Sequence, residues 1–209
     1  MSVLNKIAYF RNRRDEVPNQ ELARELAETK DRKGIQDIAG NLWNKNKNIR
    51  SDCLKVLYEI GYINPELIAD YVGEFLKLLQ DKNYRMVWGA MIGLATIADK
   101  RPKDIWQQID DVIIVKNKGT LIPVVWGVKT LARVAATDEK YRQKLFPILM
   151  EHLKTCIPRD VPMHAESILC AIDKSNKEEF LAVLEARRVE LKPYQLARLK
   201  KITKELQKS

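Results

Sequence analysis

The chain of 209 residues predicts an all-α fold, an α-α superhelix or solenoid of about twelve helices, and three observations carry that expectation. The first is a four-fold pattern of a small residue followed four and seven places on by large aliphatics. It reads Cys53, Leu57, Ile60; Ala90, Leu94, Ile97; Gly127, Leu131, Val134; and Ala165, Leu169, Ile172, with first members spaced by 37, 37 and 38 residues. A fixed period in this range marks stacked helical repeats, each too small to bury its own apolar face. The second is that Pro65 and Pro102 keep the same spacing of 37, each where a helix can begin at no cost in lost donors. The third is composition: only eight Gly and eight Pro, with 45% hydrophobic residues, favours long helices over loops.

In chain order, Val3, Leu4, Ile7, Ala8 and Phe10 have helical spacing, so a first helix is expected over residues 3 to 14, ended by Val17-Pro18. Asn19 is the expected N-cap of a second helix reaching Lys30, with Leu22, Ala23, Leu26 and Ala27 inward. Gly34 opens a third, whose face is Ile35, Ile38, Leu42 and Trp43, and the polar stretch 44–48 closes it. Paired helices follow: inner ones at 48–62, 83–99, 120–136 and 161–173, and outer ones at 65–80, 103–115, 138–154 and 177–190. Pro147 inside the helix at 138–154 predicts a kink. A last helix at 193–207 repeats the triplet as Gln195, Leu199 and Ile202, a polar residue standing in the small position. The expected organisation is one solenoid over 1–209, with a helical cap at 1–33, repeats of about 37 residues at 34–190 and a capping helix at 191–209.

Leu76, Leu79, Asp81, Arg85, Ala90, Leu94 and Ile97 together resemble the consensus of a HEAT repeat, an armadillo-like α-solenoid unit. In that consensus an outer helix ends in Leu and a turn Asp, and an inner helix begins with Arg and continues small, Leu, Ile. The resemblance spans about residues 34 to 190. It implies a ladder of Asp-to-Arg ties between neighbouring repeats, and a fold without a function. Arg50 and Arg85 stand before the first two anchors, while the repeats anchored on Gly127 and Ala165 have neither the Arg nor the turn Asp.

The inventory for catalysis is thin. His152 and His164 are the only imidazoles, and general acid-base or nucleophilic chemistry needs convergent groups. His152 and Cys156 lie four apart on one helical face, but a structural zinc site takes four ligands, so no metal and no other cofactor is expected. Gly89, Gly93 and Gly127 fall inside helices, where each costs about 1 kcal/mol against Ala, and close helix approach is the expected compensation. Cys53, Cys156 and Cys170 form no close pair and read as reduced thiols, pointing to a cytoplasmic protein. No apolar stretch reaches membrane-spanning length, and the first fourteen residues do not read as a secretion signal.

Binding is the remaining class. Beside the core triplets the inner helices carry a second row that is apolar and aromatic, where an exposed face should be charged. Its members offered as partner contacts are Tyr58, Trp88, Ile92, Trp126, Lys129, Arg133, Met163 and His164. Either the row is buried between layers or it lines a groove for a protein or peptide segment, making the chain a non-enzymatic scaffold or adaptor. The net charge of +9 supplies the alternative. Arg11, Arg13 and Arg14 near one end and Arg198, Lys200, Lys201, Lys204 and Lys208 near the other could contact nucleic acid, although residues 51–173 are neutral. Some HEAT-like proteins are alkylpurine DNA glycosylases; Trp88, Trp126 and Arg133 have suitable types for such a site, but no helical Asp stands beside them.

Overall fold

The structure, a computed structural model, describes residues 2–208, and side chains up to Leu206. Lys208, the last of the C-terminal basic residues named above, has its side chain outside that set. Twelve α-helices occur among the described residues, linked by short 3-10 turns, with no strand. None is long and apolar enough to cross a membrane. The helices cluster into two compact units, Met1–Trp126 and Gly127–Ser209.

The first unit holds α1 (Val17–Thr29), α2 (Arg32–Gly40), α3 (Lys47–Ile63), α4 (Val72–Leu78), α5 (Tyr84–Ile97), α6 (Pro102–Gln107) and α7 (Ile109–Lys118), and it contains the start of α8 (Leu121–Ala135). α3 is its centre, packed on α1, α2 and α5. The reason lies in the triplets: Cys53, Leu57 and Ile60 of α3 and Ala90, Leu94 and Ile97 of α5 are all fully buried. The small first members let the helices approach, and glycines extend that approach. A Cβ at Gly89 would stand 2.5 Å from Leu54 Cδ2, and one at Gly93 2.9 Å from the buried Phe75 ring of α4. Both distances are inside van der Waals contact, so the helical cost of glycine is offset by interior packing.

Four expectations in this unit are corrected. The N-terminal segment is a 3-10 turn at Val3–Lys6 followed by irregular turns, not a helix over 3–14. Its amides are taken by side chains instead: Ala8 N–H donates to Asn19 Oδ1 at 2.9 Å and Tyr9 N–H to Asp52 Oδ2 at 2.7 Å. Asn19 is accordingly no cap but a buried bridge, its Nδ2 donating to Asp52 Oδ1 at 3.0 Å, and α1 begins two residues earlier with Pro18 in its first turn. Trp43 does not point inward; it is half exposed, donates its indole N–H to Glu74 Oε2 at 2.6 Å and lies under the Arg50 guanidinium. The outer helices after Pro65 and Pro102 are interrupted. The first resolves into two 3-10 turns and α4, and the second into α6 and α7 with a break at Gln108.

The second unit holds the rest of α8, then α9 (Glu139–Thr155), α10 (Val161–Ile168), α11 (Lys177–Arg187) and α12 (Pro193–Lys208). Leu131 and Val134 are buried as expected, and Pro147 sits on the exposed side of an uninterrupted α9. The fourth triplet changes phase. Ala165 is buried, but Ile168 and Ala171 take the core positions while Leu169 and Ile172 are only half-buried. The cause is local winding: α10 ends at Ile168 and continues as a 3-10 turn at Leu169–Ala171, whose three residues per turn align i, i+3 and i+6. The closing triplet is as expected, with Gln195, Leu199 and Ile202 buried on α12. Gln195 is satisfied there, donating to Pro158 O and Arg159 O at 3.2 Å each and accepting from Lys192 N–H at 2.8 Å.

Arg–Asp ties recur at a separation of 31 residues. Arg50 bonds Asp81 in the first unit, and Arg142 bonds Asp173 in the second. Each Asp also braces the turn before the next helix, Asp81 accepting from Asn83 N–H and Asp173 from Ser175 N–H, both at 2.8 Å.

Candidate functional site

The row of eight candidate residues divides between the units. In the first, α3 and α5 lie side by side, so Tyr58 on α3 and Trp88 and Ile92 on α5 come to one surface, where they line a cavity of about 450 Å³ with Ile122. Tyr58 and Trp88 are half-buried rather than sealed in the core. An aromatic path continues from Tyr58 edge-on to Tyr62, with centroids 6.0 Å apart, and from Tyr62 to Trp126 at 5.7 Å. Tyr62 is the member sequence reasoning missed. It follows Tyr58 by four places, a spacing that marks one helix face.

The remaining wall is charged, and it comes from a segment that sequence reasoning treated as a cap. Arg13, Arg14, Asp15 and Glu16, held against α3 by the Asn19 and Asp52 bonds, complete the cavity together with Lys55 and Arg85. An adjoining hollow of about 310 Å³ has Arg13, Arg14 and Arg85 in its lining as well. The acids here are already engaged. Glu16 pairs with Lys55 at 2.7 Å, Asp15 with Arg13 at 2.7 Å, and Asp52 accepts from two N–H groups.

Lys55 is held by both Glu16 and Glu59, the latter at 2.6 Å, with its ammonium 4.9 Å over the Tyr58 ring. Burial alone would lower its pKa, yet hydrogen bonds to Glu16, Glu59 and Tyr58 raise it on balance, so it stays charged and neutralised. Burial pushes the Tyr58 and Tyr62 hydroxyls up, keeping both protonated. Arg14 and Arg85, by contrast, are exposed and take part in no ion pair among the described residues. The net character is therefore an aromatic and aliphatic floor with two guanidinium groups, outside any ion pair among the described residues, at a rim of mixed charge.

The second unit holds the other four candidates. Lys129 and Arg133 follow one another by a turn of α8, and burial, reinforced by the Arg133 cation, holds the Lys129 ammonium below its usual range. Met163 on α10 is half-buried, its carbonyl accepting from Ser167 Oγ at 3.0 Å. His164 is buried with 1% of its surface exposed, and its ring meets His152 edge-on with centroids 4.5 Å apart. It offers no surface to a partner.

No family model matches the chain, and no curated protein is similar enough to stand as a relative. Solved structures do match. A designed armadillo repeat protein in complex with the peptide (KR)4 is 15% identical, covering 88% of this chain and 85% of its own, with a TM-score of 0.68. A second designed armadillo repeat protein is 12% identical over 96% of both chains with a TM-score of 0.66. Computationally designed armadillo repeat proteins for modular peptide recognition are 13% identical over 97% of both, with a TM-score of 0.65. Likeness at this level shows the fold: an all-α superhelix of armadillo-like helical repeats.

Proposed function

We propose that the chain is a non-enzymatic repeat scaffold that captures an extended, acidic protein segment on its inner-helix surface, seating an apolar side chain over Trp88. The observation that carries this reading is the cavity of about 450 Å³, floored by Tyr58, Trp88 and Ile92 and rimmed by Arg14 and Arg85. Aromatic side chains supply contact area at low ordering cost, and a shape held by packed helices spends little entropy on binding. Arg14 and Arg85, outside any ion pair among the described residues, favour carboxylates, which a guanidinium holds in a fork of two N–H donors. One designed protein of this fold binds a peptide of Lys and Arg; the opposite charge at this rim calls for the opposite ligand.

The test is fluorescence anisotropy with a labelled peptide of Asp and Glu around one Leu, against a Lys and Arg counterpart. The acidic peptide should bind saturably, more weakly as salt rises, and the basic one should not. Trp88→Ala and the double change Arg14→Glu, Arg85→Glu should each weaken binding at least tenfold while circular dichroism is retained. Equal binding of both peptides, or an unchanged affinity in folded Trp88→Ala, would refute the reading. Duplex and single-stranded nucleic acids at two salt concentrations form the other arm; a tight complex with a steep salt slope there would replace the peptide with a phosphate backbone.

A further inference from the structure

The second unit contains a cluster independent of the peptide surface. His152 and Cys156 are presented four residues apart by α9, and Cys156 is the residue that caps its C-terminal end. The chain then turns through Ile157–Asp160 and re-enters as α10, whose first turns deliver His164 to the same place. One donor atom from each of the three side chains, two imidazole nitrogens and a thiol sulfur, lies within 4.8 Å of the others. The expectation that no metal binds rested on two ligands; folding brings in a third that is distant in sequence.

We propose that His152, Cys156 and His164 bind one Zn²⁺ ion, with a water molecule in the fourth position. The donor set is borderline-soft, a thiolate and two imidazoles, which suits Zn²⁺ and not the oxygen-seeking Ca²⁺ or Mg²⁺. Zn–N and Zn–S bonds of about 2.0–2.3 Å place tetrahedral donors about 3.5 Å apart, so the cluster need draw in by up to about 1.3 Å. The side chains that would move are those with room to do so: His152 and Cys156 are half-buried, while His164 is the fixed, buried member. The half-buried pair also leaves the ion a way in. One ring nitrogen of each histidine, His152 Nε2 and His164 Nδ1, lies beneath the surface.

Neighbouring charge is balanced. The Arg187 guanidinium donates to Cys156 O at 2.7 Å, and Glu190 neutralises it through a 2.8 Å ion pair. On binding, the Cys156 thiol gives its proton to solvent, and the sulfur lone pair makes the metal bond. The ion would thus tie the end of α9 to the start of α10 across the intervening turn, so its effect is read in stability as well as in occupancy.

The experiment uses the full chain, stripped with a chelator and titrated with Co²⁺ as a spectroscopic stand-in, then with Zn²⁺ in competition. One equivalent should bind, with a thiolate-to-cobalt charge-transfer band and intense tetrahedral d–d bands that Zn²⁺ abolishes. Cys156→Ser should remove the charge-transfer band and His152→Gln should weaken binding at least tenfold, while Cys170→Ser, altering an exposed thiol, should change neither. Zn²⁺ should also raise the thermal midpoint, and chelator should reverse the rise. Absence of saturable binding below millimolar metal would overturn the site, as would a band that persists in Cys156→Ser or disappears in Cys170→Ser. None of these readouts involves the peptide surface, so the two proposals stand or fall separately.

Discussion

At the scale of single residues, the most informative positions are those where a side chain would not fit or would not be expected. Gly93 faces the ring of Phe75, which is buried on every side and has nowhere to retreat. Gly93→Ala should gain helix propensity yet lose about 1–3 kcal/mol to overpacking, seen as a lower midpoint in urea with an unchanged slope. That glycine was visible in the sequence as an anomaly inside a helix, and its explanation by close approach is what the structure shows. Asn19 was legible only as a helix-favouring cap. Its actual role, bridging Ala8 N–H to Asp52, depends on a residue 33 places away and leaves no local mark. His164 reads from the sequence as a partner contact because, like Trp126, it stands one place before the small residue of its triplet. The spacing fixes a face, and burial of that face is decided by whichever helix lies across it, here α9 with His152.

At the scale of elements, the α9 terminus shows what helical periodicity does and does not report. Arg187 is 7% exposed, and its guanidinium donates to Leu153 O at 2.8 Å, Lys154 O at 2.5 Å and Cys156 O at 2.7 Å, closing carbonyls that α9 leaves open. The sequence held a signal: Phe180, Val183, Leu184 and Arg187 fall at i, i+3, i+4 and i+7, so the arginine shares the inward face of α11. Arg187→Met should keep the packed stem while orphaning these carbonyls and Glu190. The expected loss is about 3 kcal/mol, measurable by chemical denaturation, with amide exchange accelerated at the end of α9. The positions of the inner helices were readable from the triplets because packing there obeys one period. The outer helices were less so, since their breaks at Ile68 and Gln108 arise in backbone conformations that no apolar pattern encodes. The phase change in α10 has the same origin.

At the scale of the whole molecule, the shared device is a carboxylate that ties elements while bracing a turn. Asp173 is held below the usual carboxylate range by hydrogen bonds from Ser175, with further help from Arg142. Asp104 is lowered through Arg101, and Glu74 through Lys77 and Trp43. A carboxylate whose folded pKa is depressed contributes stability that is complete above its unfolded value, near pH 4, and fades as pH falls through the folded value. Thermal midpoints should therefore be flat from neutrality down to about pH 5 and fall below about pH 4. Replacing Asp173 with Asn should flatten part of that fall, which a calorimetric pH series would resolve. The repeat architecture was legible throughout because it is written redundantly, in triplets, prolines and spacing. The charged rim of the cavity was not, since Arg13 and Arg14 belong to it only once the first sixteen residues are fastened down. That fastening combines the bonds from Ala8 to Asn19 and from Tyr9 to Asp52 with the burial of Ile7, the Ser2–Asp37 bond and the ion pairs Lys6–Glu25, Arg11–Glu21 and Glu16–Lys55. The chain's opening segment is consequently one wall of the cavity, and capture there depends on that segment being in place. A substitution that loosens it would weaken capture without altering any atom that a ligand touches.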